Sequence, residues 1–487
     1  AARDRRESAE RELAALAGEL SGAGWSGADL DLAAIGTALA KDEAAVAFRR
    51  FMRWRLVRDG DADEPEMRFE GRMSLCAFVV RPPEPESSRV SASLALLDLG
   101  ASDPIATAAT IWRHAVTGDR PRGAPLAPDP AAARGQALRR LVFDPLLPAL
   151  GDVRRVVVVP DDVLHLVPLD ALPLDGAEGC VGERWRLEMR TTLSELLAAP
   201  RPTDATALVA LGGASFNHAP LALSADEPPA ADEPRLTLVA GVLRGGAWER
   251  GFAPLTHSAE EARGIGALYE ELFAGERAAV VVEKRKASRE ALDELAPDAR
   301  FLHVASHGWF APESVTSWDD PEALDPRAGA PGRMSVADRV RGLSPMVLCG
   351  LALAGANLPA DERGRLPGLV TAEELSSWDL SRCELAVLSA CDTNVGLRRA
   401  GQGVAGLQKA LRMAGARSVV TSVWKVPDEA TKQLMLDFYR RLWVEKKPKL
   451  QALWEAKLRL RDARDEYGEP LYTARDWAGW VLTGEPD

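Results

Sequence analysis

A thiol and an imidazole stand at the ends of two short apolar runs in this 487-residue chain. Residues 385–388, Leu-Ala-Val-Leu, have the composition of a buried strand. Ser389 and Ala390 follow, small enough for backbone and ligand to approach closely, and then Cys391 and Asp392 open a glycine-containing loop. The second run, 301–305, ends in Ser306, His307 and Gly308. In open α/β sheets, ligands and reactive groups collect beyond the carboxyl ends of the strands. If the two runs are neighbours in one parallel sheet, His307 and Cys391 face each other there, a general base beside a nucleophilic thiol. Gly308 permits a sharp turn and leaves a backbone N–H to point at a substrate.

The elements that must position this pair read as an alternation. Strands are expected at 206–211, 278–283, 301–305, 346–353, 385–388 and 419–423, with helices at 258–273, 288–295, from 371, before Gly415, and from Pro427 to about 444. Ser258, Ser288 and Thr371 are expected helix caps, the last with Glu374 three residues on. Such β-α-β order implies a mostly parallel sheet with covering helices. A charged helix at 450–466 and a short strand at 477–482 close the chain. Upstream, 154–159 is a strand, 160–173 a turn and second short strand, 185–190 a third strand and 191–200 a short helix. Before a boundary near 130 lie helices at 1–22, 31–40 and 102–116, with three strands at 44–57, 73–80 and 90–97. A further strand is expected at 236–241. Residues 311–342 are irregular, with arginines at 327, 333, 339 and 341. A loop of that length beside a reactive centre is more often functional than decorative.

Composition narrows the class. Hydrophobic residues make up 46%, ordinary for a globular protein, and the net charge of −12 argues against non-specific binding to nucleic acid or anionic membrane. The five cysteines (Cys76, Cys180, Cys349, Cys383 and Cys391) are widely spaced without a CxxC pair. They suggest neither a zinc site nor a disulfide framework and fit a cytoplasmic location. No apolar run reaches the roughly 18 residues of a membrane span. The loop at 212–217 lacks both common phosphate-binding patterns, which disfavours a nucleotide-binding module, and no metal or other cofactor is expected. The charged first residues, without an initiator Met, suggest a piece of a longer protein.

The segments HVASHGWF, GLVTAEEL, LAVLSACDTNVG, GQGVAGLQKALRMAGARSVVTSVWKVPDEAT and FYRRL, preceded by VVVVPDDVLHLVPLDALP, together resemble the CHAT family of caspase-like cysteine peptidases, over roughly 135–487. The resemblance implies a caspase-hemoglobinase α/β fold: a mostly parallel central sheet flanked by helices. It implies a degenerate pseudo-caspase part at 131–200 and a catalytic part at 201–487, behind the N-terminal helical and α+β region read at 1–130. It assigns the dyad to His307 and Cys391, and it matches the reading of His165 as structural. The family's acidic-Thr-Gly after the cysteine appears as Asp392-Thr393-Asn394, and asparagine also tolerates a left-handed turn. CHAT relatives occur behind tetratricopeptide repeats and in prokaryotic defence and programmed-death systems. A protein substrate and an activating partner or N-terminal sensor are therefore expected, without direct nucleic-acid contact.

In the reaction so implied, backbone N–H groups of Gly308 and Cys391 hold the oxyanion. Asp392 and Asp428 are candidates for an acidic pocket selecting Arg or Lys before the cut, with Trp424 as its wall. Each has a plainer role: Asp392 shaping its loop, Asp428 capping a helix, Trp424 covering the sheet edge. His303 is expected to be structural or to support the site, and the cysteines other than Cys391 to be inert. The competing function is a catalytically silent caspase-fold scaffold that only binds partners. If 311–342 is cut during activation, incubating the protein and mapping its new termini will locate them after arginines of that segment; termini confined elsewhere would contradict this.

Overall fold

The computed structural model describes residues 32–59, 66–83, 93–118, 130–176, 179–198, 203–225, 251–273, 278–310, 345–360, 366–389 and 406–487. The helix expected at 1–22, the strand at 236–241, the 311–342 segment, Cys391 and Asp392 lie outside them.

Fourteen strands are described. They are β1 (Glu43–Asp59), β2 (Glu66–Arg81), β3 (Ser93–Ala101), β4 (Arg155–Val159), β5 (Arg186–Met189), β6 (Ala207–Ala214) and β7 (Ala279–Lys284), then β8 (Ala299–Val304), β9 (His307–Phe310), β10 (Cys349–Ala352), β11 (Leu369–Thr371), β12 (Leu385–Leu388), β13 (Ser418–Ser422) and β14 (Trp480–Gly484). The helices used below are α1 (Leu32–Ala38), α2 (Ser102–Thr117), α3 (Pro130–Val142), α4 (Ser258–Phe273), α5 (Arg289–Leu295), α6 (Ala372–Ser376), α7 (Leu407–Met413), α8 (Asp428–Trp443) and α9 (Lys449–Asp462).

Eleven strands form one sheet in the order β3-β2-β1-β4-β5-β14-β13-β12-β8-β6-β7. Within it, β7-β6-β8-β12-β13 are parallel neighbours. In chain order this block reads 2-1-3-4-5, so connections leave β6 toward one side and enter β8 on the other. That reversal opens a crevice beyond the strand ends. Parallel strands covered on both faces need apolar residues at every position, and Leu385–Leu388 is buried throughout. On one face Leu208, Ala210, Phe301 and Val387 pack with α4 and α8; on the other Val209, Leu302, Val304 and Leu388 pack with α5 and α7.

The upstream strands β1, β4 and β5 are also mutually parallel and join this block through β14, parallel to β5 and antiparallel to β13. The sheet therefore crosses the boundary expected near residue 130, with the β1–β2–β3 meander extending it at one edge.

Local chemistry explains the departures. Residues 160–173 hold two 3-10 turns, Asp162–Leu166 and Leu169–Ala171, where a second strand was expected. Pro160, Pro168 and Pro173 lack the N–H that a ladder needs. The strand expected at 346–353 is a 3-10 turn, Pro345–Leu348, followed by β10. Ser288 and Thr371 cap their helices as expected. The Ser258 hydroxyl instead accepts the Gly213 N–H at 3.0 Å and donates to the Leu255 carbonyl at 3.1 Å. This follows from close approach of α4 to the end of β6: a Cβ at Gly212 would stand 2.1 Å from the Ser258 carbonyl oxygen.

A small second sheet, β11-β10-β9, stands behind the β8 end, with Ala352 opposite His307. Its centre tolerates no side chain at Gly350, where a Cβ would lie 2.0 Å from the Val370 carbonyl oxygen and 2.7 Å from Trp309 Nε1. Gly350→Ala is expected to destabilise the chain by about 3 kcal/mol, at the upper end of overpacking effects. A chemical denaturation midpoint equal to wild type would contradict this packing.

Candidate active site

The site is set by register. In the parallel β8–β12 pair, Val304 lies opposite Leu388, and the Ser389 N–H continues the ladder to the Val304 carbonyl at 2.9 Å. His307 is the third residue after Val304, and Cys391 the third after Leu388. The chain leaves the main sheet at Ala305, whose N–H bonds the Leu211 carbonyl at 2.7 Å, and at Ser306, whose hydroxyl donates to the Ala352 carbonyl. It then enters β9.

His307 is 4% exposed. Its imidazole lies against Phe216 and Phe252, with ring centroids 5.3 and 5.7 Å away. Nε2 is 2.7 Å from the Ala253 carbonyl oxygen. A carbonyl only accepts, so Nε2 carries the hydrogen, and in the neutral ring Nδ1 bears the lone pair. The partner of Nε2 is thus a backbone carbonyl. Burial pushes the His307 pKa below its ordinary 6.5; the Ala253 bond opposes that shift, the Lys425 ammonium adds to it and the Asp428 carboxylate opposes it. The ring is therefore neutral at pH 7, the state a general base requires. Gly308 lies within β9, opposite Leu351.

The other expected site residues fall in different places. Asp428 is the first residue of α8, behind Pro427, and its carboxylate does not cap its own helix. It accepts the His257 N–H at 2.6 Å, tying the start of α8 to the start of α4. Trp424 is 1% exposed; its indole N–H donates to the Arg475 carbonyl at 2.9 Å, and its ring meets Trp112 edge-on. It sits in the core. His303 is fully buried on the α4–α8 face, with Nε2 2.9 Å from Glu261 Oε1 and Nδ1 3.2 Å from the Tyr439 hydroxyl. Because β8 ends at Val304, the even spacing to His307 does not put the two rings on one face. Burial drives the Cys180, Cys349 and Cys383 thiols up to about 12, and raises Cys76 as well. None of these four supplies a thiolate at neutral pH. Burial likewise pushes His165 down to about 4. Among the described residues no helix is long and apolar enough to cross a membrane.

Phe216, Phe252, Ala253, His257 and Lys425 had no signal in the sequence. They sit in connections without periodicity, and only the folded chain brings Phe216, Phe252 and Ala253 against His307, sets Lys425 within its field and joins His257 to Asp428. The opposing fields give a paired expectation: Lys425→Ala raises the His307 titration midpoint toward 6.5, and Asp428→Asn lowers it. Titration of the imidazole proton resonances checks both; an unmoved midpoint in both variants would contradict the assignment of these fields.

The family model described as CHAT domain matches residues 132–485. No curated protein matches the chain. Among solved structures, it is similar to the Saccharomyces cerevisiae separase–securin complex at 10% identity and a TM-score of 0.38, covering 69% of this chain but only 16% of the matched one. It is also similar to the Arg-specific cysteine proteinase gingipain R, at 9% identity and a TM-score of 0.35, covering 77% of this chain and 73% of the other. The complex of Porphyromonas gingivalis RgpB pro- and mature domains gives 10% identity and a TM-score of 0.34, covering 79% and 76%. With more than half its length matched by the family model, the chain belongs to the CHAT domain family.

Proposed function

We propose that the chain is a cysteine endopeptidase in which Cys391 is the nucleophile and His307 its general base. The observation that carries this reading is the paired register of β8 and β12, from which His307 and Cys391 each follow at the same remove. A neutral His307, fixed as the Nε2–H tautomer by Ala253, presents Nδ1 to take the thiol proton. The thiolate adds to a peptide carbonyl, and the N–H groups of Gly308 and Cys391 stabilise the oxyanion. Collapse of that intermediate breaks the C–N bond while His307 returns its proton to the departing amine. Water, deprotonated by His307, then hydrolyses the thioester and restores the thiol.

Asp428 supports a preference for Arg or Lys before the cut, because its carboxylate is close enough to His307 to raise its pKa. Asp392 is the second acidic candidate. Trp424 contributes by packing rather than as a pocket wall, given its burial. The substrate is a dedicated protein, and activity is switched by a partner or an N-terminal sensor, as in CHAT relatives of prokaryotic defence and programmed-death systems.

The test is cleavage of a peptide library varying the residue before the scissile bond. Cys391→Ala is expected to abolish turnover, and His307→Ala to lower kcat/KM by roughly 10²–10⁴. Arg or Lys is the preferred residue, and Asp428→Asn weakens that preference. Cleavage that survives Cys391→Ala would overturn the mechanism. An uncleaved library with every form would fit both a peptidase held latent until its partner acts and the scaffold, and alkylation of Cys391 then separates the two.

A further inference from the structure

One buried asparagine links both walls of the slot that holds His307. Asn357 is 1% exposed and follows β10 in the chain. Its Oδ1 accepts the Phe252 N–H at 2.7 Å, and its Nδ2 donates to the Phe252 carbonyl at 2.9 Å and to Asn217 Oδ1 at 2.8 Å. The orientation of the amide is fixed by chemistry: only oxygen can receive the Phe252 N–H, and only nitrogen can serve its carbonyl. The Asn357 main-chain N–H also donates to the Phe216 carbonyl at 2.8 Å. The side chain therefore grips both main-chain polar groups of Phe252 while the backbone grips Phe216.

These two residues are the aromatic walls of the imidazole, and Ala253, next after Phe252, supplies the carbonyl that holds Nε2. The segment 251–253 belongs to no helix or strand, so no ladder holds its backbone in place. A carbonyl that must meet one ring nitrogen at 2.7 Å needs such a hold, since a displacement of about 1 Å at a reacting group can cost a hundredfold in rate.

We propose that Asn357 is the positioning residue of the catalytic histidine: by clamping Phe252 against the 216–217 loop it sets the Ala253 carbonyl and, through it, the tautomer of His307. This rests on the reading of His307 as the general base. No other side chain type of this size both accepts from and donates twice within one plane. Aspartate would turn a carboxylate oxygen toward two acceptors, and alanine would leave the buried Phe252 N–H and carbonyl without their amide partner.

The test uses the full chain with ¹⁵N-labelled histidine. The His307 signals are identified by their loss in His307→Ala, and circular dichroism and thermal melting check that each variant is folded. Wild type is expected to show the Nε2–H tautomer and a titration midpoint below 6.5. Asn357→Ala and Asn357→Asp should shift the ring toward a mixture of tautomers and lower kcat about tenfold to a hundredfold, with KM little changed. Asn217→Ala, which removes one acceptor from the clamp and leaves Phe252 engaged, should shift the tautomer ratio in the same direction by less; it serves if the Asn357 variants fail to fold. An unchanged Nε2–H tautomer in a folded Asn357 variant would overturn the proposal, as would an unchanged one in Asn217→Ala if only that variant folds. The tautomer is read without substrate, so a tautomer shift in a chain whose cleavage survives Cys391→Ala would sink the peptidase reading and leave the clamp standing.

Discussion

The structure depends on one constraint, the parallel pairing of β8 with β12. Two strands hydrogen-bonded in parallel end at the same sheet edge, and with Val304 opposite Leu388 they end at the same level. The proposed site is hung from that edge. A shift of one residue in this register would turn the apolar side chains of β12 to the opposite faces of the sheet. Leu385 and Val387 fit one core and Ala386 and Leu388 the other, so such a shift would misfit both at once, and packing fixes the level at which the chain leaves β12.

From that edge the structure builds a dry, aromatic slot for a single imidazole. The slot is assembled from distant parts of the chain: Phe216 after β6, Phe252 and Ala253 before α4, and the β9–β10 pair behind. Asp428 fastens the starts of α4 and α8 to each other beside it. Burial supplies the neutral state of His307, and the carbonyl of Ala253 supplies its orientation. Neither effect needs an acidic third residue. Beneath the site, the His303–Glu261–Tyr439 bonds fasten β8 to the same two helices.

Much of this was legible in the sequence, and the reason is periodicity. Short apolar runs such as 385–388, bounded by turn residues, have the length and composition of strands buried on both faces, and their alternation with amphipathic helices implied the α/β class and the parallel sheet. Caps at Ser288 and Thr371 were legible because each is a local contact between residues three apart. The proline-bearing stretch 160–173 misled because its apolar residues fit a strand while its backbone lacks donors. Asp428 read as a cap of its own helix, yet its partner is the N–H of His257, far away in sequence. Trp424 read as a pocket wall or a cover of the sheet edge and is buried in the core, since nothing local announces the Trp112 ring packed against it. His307 was found by its place at a strand end. The groups that tune it were not, because they lie in irregular connections whose meeting point is decided by the fold alone.

The central claim is that His307 governs the protonation of Cys391. Its most direct measurement is the rate of Cys391 alkylation by iodoacetamide as a function of pH, in wild type and in His307→Ala. The other four thiols are buried and held protonated, so labelling reports on Cys391. The account predicts a labelling rate whose pH midpoint follows the deprotonation of His307, below the ordinary cysteine value of about 8.5, and a return to that value when His307 is removed. A labelling profile that follows an ordinary thiol and is indifferent to His307 would contradict it.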